Sequence, residues 1–543
     1  MKNKYLFLGL IVALGVILRF FNLSTNPPSL YWDEVSQGYN SYSILQTGRD
    51  EHGEFLPLAR FIAYGDYKAP VYIYLDVPFI AVLGKTTLAV RFPSALIGSL
   101  TVIVVFLLVR ELFFHDKRRD IYALLSSFFL AISPWHIQLS RAAYEGNIAT
   151  FFTILGVYLF FLAKRKYDWV FILSGLSFVL GIYAFNAYRV FIPLLCILLL
   201  VLYFKDLWIK KKALIITSII CFVLLIPFIQ FLLTPESKLR FNEVNIFSDS
   251  TIVAKANKAI QNEGNTIFAK TIHNRRVLYT LEYLKHYFDF FNPDFLFIRG
   301  DVNPRFSHQE NGELYLWELP LILAGMYFLI TSKRKEAILI FGWLLLAPVA
   351  GATARETPHA LRGETFLPIY ELFSALGAVF IFTSIFKYSR KIATFTISVF
   401  AIVIGLSLFL FQYNYFIDYP YLYSEVWQDG YKTTIEKVKK IEDQYDKIVV
   451  TNTYGRPYAY VLFYGDIPPG EFWADSDVRK DQFGLYNVYR VGKYYFPEEF
   501  VLEKDTDKKV LYVGAPNEIP SGSRTIDTIN FLNGKPAFVL STE

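Results

Sequence analysis

Asp33 and Glu34 stand side by side in Tyr31-Trp32-Asp33-Glu34-Val35-Ser36-Gln37-Gly38-Tyr39, just after the first long apolar segment of the chain. Adjacent carboxylates at the mouth of a membrane helix are costly to desolvate, so their presence asks for a chemical reason. A carboxylate held there can act as a general base, drawing the proton from a hydroxyl as that hydroxyl attacks. The competing structural reading makes Asp33 the N-cap of a short surface helix, with Val35, Tyr39, Tyr42 and Leu45 on one face and Gly48 closing it. Other ionisable residues lie near the ends of apolar segments: Arg49, Asp50, Glu51, Asp66, Lys68, Arg141, Glu145, Arg189, Arg355, His359, Arg362 and Glu364. Singly, each is what an ordinary charged loop contains. Together they suit clamping an anionic lipid headgroup beside a reacting hydroxyl, because Arg and Lys neutralise a phosphate and Arg does so in bidentate fashion.

The elements that must position these residues are apolar. Of 543 residues, 54% are hydrophobic, 18% aromatic and only 19% charged, a composition that belongs in a bilayer. The net charge of +6 is spread in short clusters between apolar runs, so it marks topology and not a nucleic-acid partner. Cys196 and Cys221 both fall inside apolar runs, which argues against a disulfide framework or a thiolate metal site. Lys2 and Lys4 precede an apolar run without a small-residue cleavage pattern, so this start is read as an uncleaved span.

Runs long enough to cross a hydrocarbon core fall at 5–23, 88–113, 121–139, 147–163, 168–185, 190–204, 213–233, 314–331, 336–352, 365–386 and 391–413. An inside start makes every second connection basic: Lys117-Arg118-Arg119, Lys164-Arg165-Lys166, Lys205 with Lys210-Lys211-Lys212, Lys333-Arg334-Lys335, and Lys387 with Arg390-Lys391. The loops 24–87, 140–146, 186–189, 234–313 and 353–364 and everything after 414 then lie outside. Counting 69–84 as a span would turn the basic clusters outward, so it is expected to be a helix along the outer interface, with Tyr72, Tyr74 and Phe79 at headgroup depth.

The expected architecture is an all-α polytopic membrane domain, 1–416, and a small extracytoplasmic α/β domain, 417–543. In the latter a helix over 431–445 and strands at 447–451, 459–464, 510–513 and 537–541 are expected from periodicity. Trp427, Tyr454, Tyr458, Tyr460, Phe472 and Trp473 could stack on sugars, but such residues ordinarily form the core of a small domain, and core is the reading preferred.

The residues also carry a resemblance. Tyr-Trp-Asp-Glu at 31–34, Gly38-Tyr39-Asn40-Ser41-Tyr42 and Gly48-Arg49-Asp50-Glu51-His52-Gly53 resemble the first outer loop of membrane glycosyltransferases of the class C fold. The nearest group is the protein-mannosyltransferase and aminoarabinose-transferase-like family. Lys68-Ala69-Pro70-Val71-Tyr72, Arg91-Phe92-Pro93-Ser94-Ala95, Ser140-Arg141-Ala142-Ala143-Tyr144-Glu145, Ala187-Tyr188-Arg189 and Pro358-His359-Ala360-Leu361-Arg362 continue it over about 1–413.

The resemblance implies sugar transfer from a polyprenyl-phosphate donor to an extracytoplasmic acceptor (protein, lipid or cell-envelope glycan), with inversion. It implies a multi-pass protein of a cell membrane, of prokaryotic type. Asp33 would be the general base, with Glu34 and Glu145 as the other catalytic acids; Glu145 departs from an aspartate common at its position. Lys68, Arg189 and Arg362 would meet the donor phosphate, and Arg49, Asp50, Glu51, Asp66, Arg141, His308 and His359 are further candidates. No cofactor or metal is assigned. A divalent cation on Asp33, Glu34 and Glu145, as in oligosaccharyltransferases of this fold, is the alternative, and no His/Cys cluster at ligand spacing accompanies it.

The stretch Phe291-Asn292-Pro293-Asp294-Phe295-Leu296-Phe297, followed by Arg299-Gly300-Asp301, Arg305, His308 and Gly312, could close over the reactants or anchor at the interface. His308 reads as a hydrogen-bonded loop histidine, and Arg189 as a lipid-phosphate snorkel or a donor ligand. A transporter or lipid flippase is the alternative function; it calls for ionisable or broken-helix positions at mid-depth, which these runs nearly lack.

Overall fold

The computed structural model describes residues 3–238, 244–332, 334–481, 485–502 and 508–542. Lys2 and Lys333, used above to orient the chain, lie outside these. Every apolar run named above is helical, as a bilayer requires when no water is present to satisfy the backbone. Five of the helices are long and apolar enough to cross a membrane: Thr87–Leu112, Glu145–Arg165, Lys211–Leu232, Ile369–Tyr388 and Arg390–Leu422. Other expected spans are shorter helices, among them Lys4–Phe20, Arg119–Ile132, Val170–Ala184, Tyr188–Leu202, Glu318–Ser332 and Lys335–Leu346. A 15-residue helix rises only about 22 Å. The 121–139 run is cut at Ser133, which precedes Pro134, and resumes as Pro134–Ser140.

The chain divides into two compact units. One comprises Met1–Leu18, Ile97–Leu139 and Gly146–Phe411; the other comprises Arg19–Leu96, Ser140–Glu145 and Gln412–Glu543. In the first, Glu318–Ser332 and Ile369–Tyr388 approach so closely that a Cβ added at Gly377 would lie 1.8 Å from the Leu321 carbonyl oxygen, and one at Gly325 would lie 2.0 Å from that of Phe373. Only glycine admits that backbone contact. Phe129, Leu321, Ala375 and Ala378 form the buried layer there.

The second unit is built on a seven-stranded mixed sheet in the order Ser476–Lys480, Tyr486–Val491, Tyr494–Tyr495, Lys447–Val450, Val510–Gly514, Pro536–Thr542, Arg524–Asn530. Lys447–Val450 runs parallel to both of its neighbours, and the other pairings are antiparallel. The expected helix is Tyr431–Ile441 with a 3-10 turn at Glu442–Gln444. The expected strand at 459–464 is instead the helix Pro457–Tyr464, because Pro457 at its first turn presets helical φ where the apolar run alone fits either state.

That helix packs on Trp32–Thr47, the helix of the first loop: a Cβ at Gly38 would fall 2.8 Å from the Phe463 ring. The strands Phe61–Ala63 and Asp66–Lys68 form a hairpin turning at Gly65, whose φ of +55° suits glycine and whose N–H donates to the Tyr486 carbonyl at 2.9 Å. Pro70–Leu83 is helical as expected, and Tyr72 is fully buried and donates to the Val90 carbonyl at 2.8 Å, so its ring is enclosed by protein.

Candidate active site

Asp33 lies one residue inside the helix Trp32–Thr47, whose N-cap is Tyr31 and whose end is closed by Gly48 in the left-handed region. It is therefore not the cap. Its carboxylate accepts from the Tyr64 hydroxyl and from the Lys68 ammonium, which the hairpin delivers from its turn and from the last residue of its second strand. Asp66 stands 3.8 Å from the same ammonium. Burial by itself disfavours the Lys68 charge, yet Asp33, Asp66 and Glu145 hold its pKa above the ordinary value, so it stays cationic. Burial and then Asp33 push the Tyr64 phenol well up, which fixes it as a donor. Asp33 nonetheless keeps 39% of its side chain exposed, against 9% for Lys68.

Glu34 faces the opposite way. It closes the capping box on the Tyr31 N–H at 3.1 Å, accepts from the Ala143 N–H at 3.0 Å, and receives the Arg91 guanidinium in bidentate fashion at 2.9 and 2.9 Å. Arg91 also donates to the carbonyls of Pro27 at 2.7 Å and Ser29 at 2.5 Å, and it is wholly buried. Arg141 is equally buried and ties the Arg19 and Asn26 carbonyls at 3.0 and 2.9 Å beneath the Phe416 ring.

The remaining first-loop candidates hold the loop together. Asp50 accepts from the His52 and Glu54 N–H groups at 2.9 Å each, Arg49 donates to the Gly53 carbonyl at 2.8 Å, and Glu51 joins Asn40 at 2.9 Å to the Tyr458 hydroxyl at 3.1 Å. Of the carboxylates suggested for a cation, Glu34 is engaged by Arg91, while the Lys68 ammonium sits on Asp33 with Glu145 nearby. Among the described residues no group of three His, Cys, Asp or Glu side chains is arranged to hold a metal, so the trio does not fit one.

Arg189, Arg362, His308 and His359 belong to the other unit. Arg189 lies over the Phe228 ring at 4.7 Å, and Arg362 donates to the Glu356 carbonyl at 3.1 Å. His308 accepts from the Glu310 N–H at 3.1 Å and packs on Phe411, and burial lowers its pKa to about 4, so it is a neutral loop residue. His359 lies against Phe306, 3.6 Å from Asp301. Burial raises the Asp301 pKa to about 6, although the Asn303 and Ala360 N–H groups and Arg362 oppose the shift. Sequence reasoning left out Tyr64 and gave Arg91 no role in the site. A guanidinium within an apolar helix was a signal for Arg91; no local signal marked Tyr64.

The backbone resembles two families of solved enzymes. ArnT from Cupriavidus metallidurans bound to undecaprenyl phosphate matches with a TM-score of 0.56 at 11% identity, covering 100% of this chain and 98% of that one. The apo state of the same protein gives 0.54 at 11% identity, covering 98% and 97%. The archaeal oligosaccharyltransferase AglB from Archaeoglobus fulgidus, in complex with an inhibitory peptide and a dolichol-phosphate, gives 0.52 at 15% identity over 86% of this chain. The chain spans 64% of AglB's length. No curated protein matches the chain by sequence.

The fold is thus of the class C membrane glycosyltransferase type. Residues 9–245 match the family described as dolichyl-phosphate-mannose-protein mannosyltransferase.

Proposed function

We propose that the protein transfers a sugar from a polyprenyl-phosphate donor to an acceptor hydroxyl on the extracytoplasmic side, with Asp33 as general base and inversion at the anomeric carbon. The observation that carries this reading is the contrast between neighbours. Asp33 is oriented by Tyr64 and Lys68 yet keeps 39% of its side chain open, while Glu34 is 2% exposed and spent on Arg91. Glu34 is a positioning residue that fixes the turn carrying Asp33; Glu145 acts through Lys68.

Lys68 is a compact point charge that can pair with a carboxylate or a phosphate. A donor phosphate competes with Asp33 for that ammonium, and once Lys68 turns to it the Asp33 carboxylate loses a counter-ion and becomes more basic. The acceptor proton then passes to Asp33 as the hydroxyl oxygen bonds to the anomeric carbon. The carbon–oxygen bond to phosphate breaks, and its electron pair leaves on the polyprenyl phosphate.

Arg189 and Arg362 are read as further phosphate contacts, the eleven helical runs as crossings, and 417–543 as an outer domain. Lipid phosphates in the ArnT and AglB structures support a lipid-phosphate donor. The family match over residues 9–245 favours transfer over transport. In proteoliposomes loaded with polyprenyl-phosphate hexose, the protein is expected to release polyprenyl phosphate in step with glycosylated acceptor, and Lys68→Met is expected to raise the donor KM by about tenfold or more. Flux of donor across the bilayer without product would overturn the proposal.

A further inference from the structure

A cleft of about 520 Å³ opens on the sheet of the second unit, lined by Asn452, Arg456, Asp481, Asn487, Tyr489 and Phe496 among others. Its volume is that of a small-molecule site, within the roughly 300–1,000 Å³ such sites occupy. Three observations give it chemistry. Arg456 holds a left-handed backbone, φ +54°, unusual for a residue with a side chain, next to Gly455 at φ +79°. That turn is pressed against the first loop, since a Cβ at Gly455 would lie 2.5 Å from the Trp32 ring. Strain of this kind persists where the surroundings over-determine it, commonly at functional sites.

The Arg456 guanidinium lies 5.0 Å from the centre of the Tyr64 ring, whose hydroxyl donates to Asp33. A wall residue of the cleft therefore packs on the ring whose hydroxyl orients the base. Among the described residues the guanidinium makes no hydrogen bond or ion pair, so its five fixed donors are available to a ligand. Other wall groups are held in place: the Tyr489 hydroxyl donates to Glu498 at 2.8 Å, and the Asn452 amide donates to the Pro497 carbonyl at 3.3 Å.

We propose that this cleft binds a saccharide, the acceptor whose hydroxyl is brought to Asp33. The inference rests on the transferase reading above and adds the acceptor class. A lipid tail would want an apolar wall, and here amides, carboxylates and a guanidinium dominate. An anion would want excess positive charge, and Arg456 is the cation beside two carboxylates, Asp481 and Glu498. A neutral polyol fits both facts. Vicinal hydroxyls accept paired hydrogen bonds from guanidinium and amide N–H groups and donate to carboxylates, and the Tyr489 ring in the wall can meet the C–H side of a sugar.

The test uses the full chain in nanodiscs. Trimannose, tri-N-acetylglucosamine and a Ser/Thr-rich peptide are each presented to wild type, to Asp33→Asn and to an Arg456→Ala/Tyr489→Ala double variant, with ligand-observed saturation-transfer NMR as readout. A trisaccharide signal in wild type and Asp33→Asn, falling about fivefold or more in the double variant while its helical circular dichroism is retained, supports the proposal. Absence of any saccharide signal, a signal unaltered in the double variant, or a signal from the peptide alone overturns it. Binding is read without turnover, so failure of Asp33 as base shows as transfer retained in Asp33→Asn, independently of whether the cleft holds sugar.

Discussion

Two pairs of acids, one in each compact unit, are treated oppositely by their surroundings. In the first loop the two adjacent carboxylates each meet a cation: Asp33 with Lys68, Glu34 with Arg91. In the other unit Glu364 is fully buried with neither oxygen hydrogen-bonded among the described residues, and burial drives its pKa well up; Glu313 is likewise pushed up, by burial and then by Asp301. A paired carboxylate keeps its charge and depends on its partner, whereas an unpaired one gives its charge up and acts as a neutral polar group.

The contrast breaks most sharply at Glu34. Glu34→Ala leaves the Arg91 guanidinium buried and unmatched, and the expected loss is about 3–5 kcal/mol, read by thermal unfolding in detergent. Arg91→Leu should fall in the same range. A cost below about 1 kcal/mol for either would show that the pair is not what holds the turn. Lys68→Met should affect donor use more than stability, since Lys68 and Asp33 are only partly enclosed as a pair. Glu51→Gln weakens acceptance from Asn40 and Tyr458, for an expected loss of about 1–2 kcal/mol in the same assay. Glu364→Gln replaces a neutral acid by an amide of the same shape and should stay within about 1 kcal/mol of wild type, the reverse of Glu34→Ala.

The smallest expected effect is in pH. The Asp301 pKa is raised to about 6 in the folded protein, above the ordinary carboxylate value, so the folded state binds the proton more tightly. The stabilisation is complete below the unfolded value and fades as pH rises through 6. Hydrogen exchange of the 299–313 loop should therefore quicken between pH 5 and 7 beyond the intrinsic rate, and Asp301→Asn should flatten that dependence.

Much of this was legible in the residues because it is local. The Gly48 stop, the helicity of each apolar run, and the strands at 447–451, 510–513 and 537–541 follow from spacing and cap chemistry. Asp33 was conspicuous because a carboxylate beside an apolar segment is costly. What escaped depends on contacts distant in sequence. The first loop and the 412–543 tail form one compact unit, through pairs such as Glu51 with Tyr458 and Trp32 with Gln428, and no periodicity encodes a partner some 400 residues away. The same holds for Tyr64, which becomes part of the site only when the hairpin closes. Hydropathy also overstated helix length, because an apolar window reads through breaks such as Ser133-Pro134. Of the six tail aromatics, Trp427, Tyr458, Tyr460 and Phe472 are buried as core, while Trp473 is 38% exposed.

Single-turnover transfer by Asp33→Asn, with donor pre-bound and the enzyme's fold checked by unfolding temperature, bears most directly on the account. It predicts that polyprenyl-phosphate sugar remains bound while transfer slows by about 10²–10⁴-fold. Transfer within about twofold of wild type would contradict Asp33 as the base.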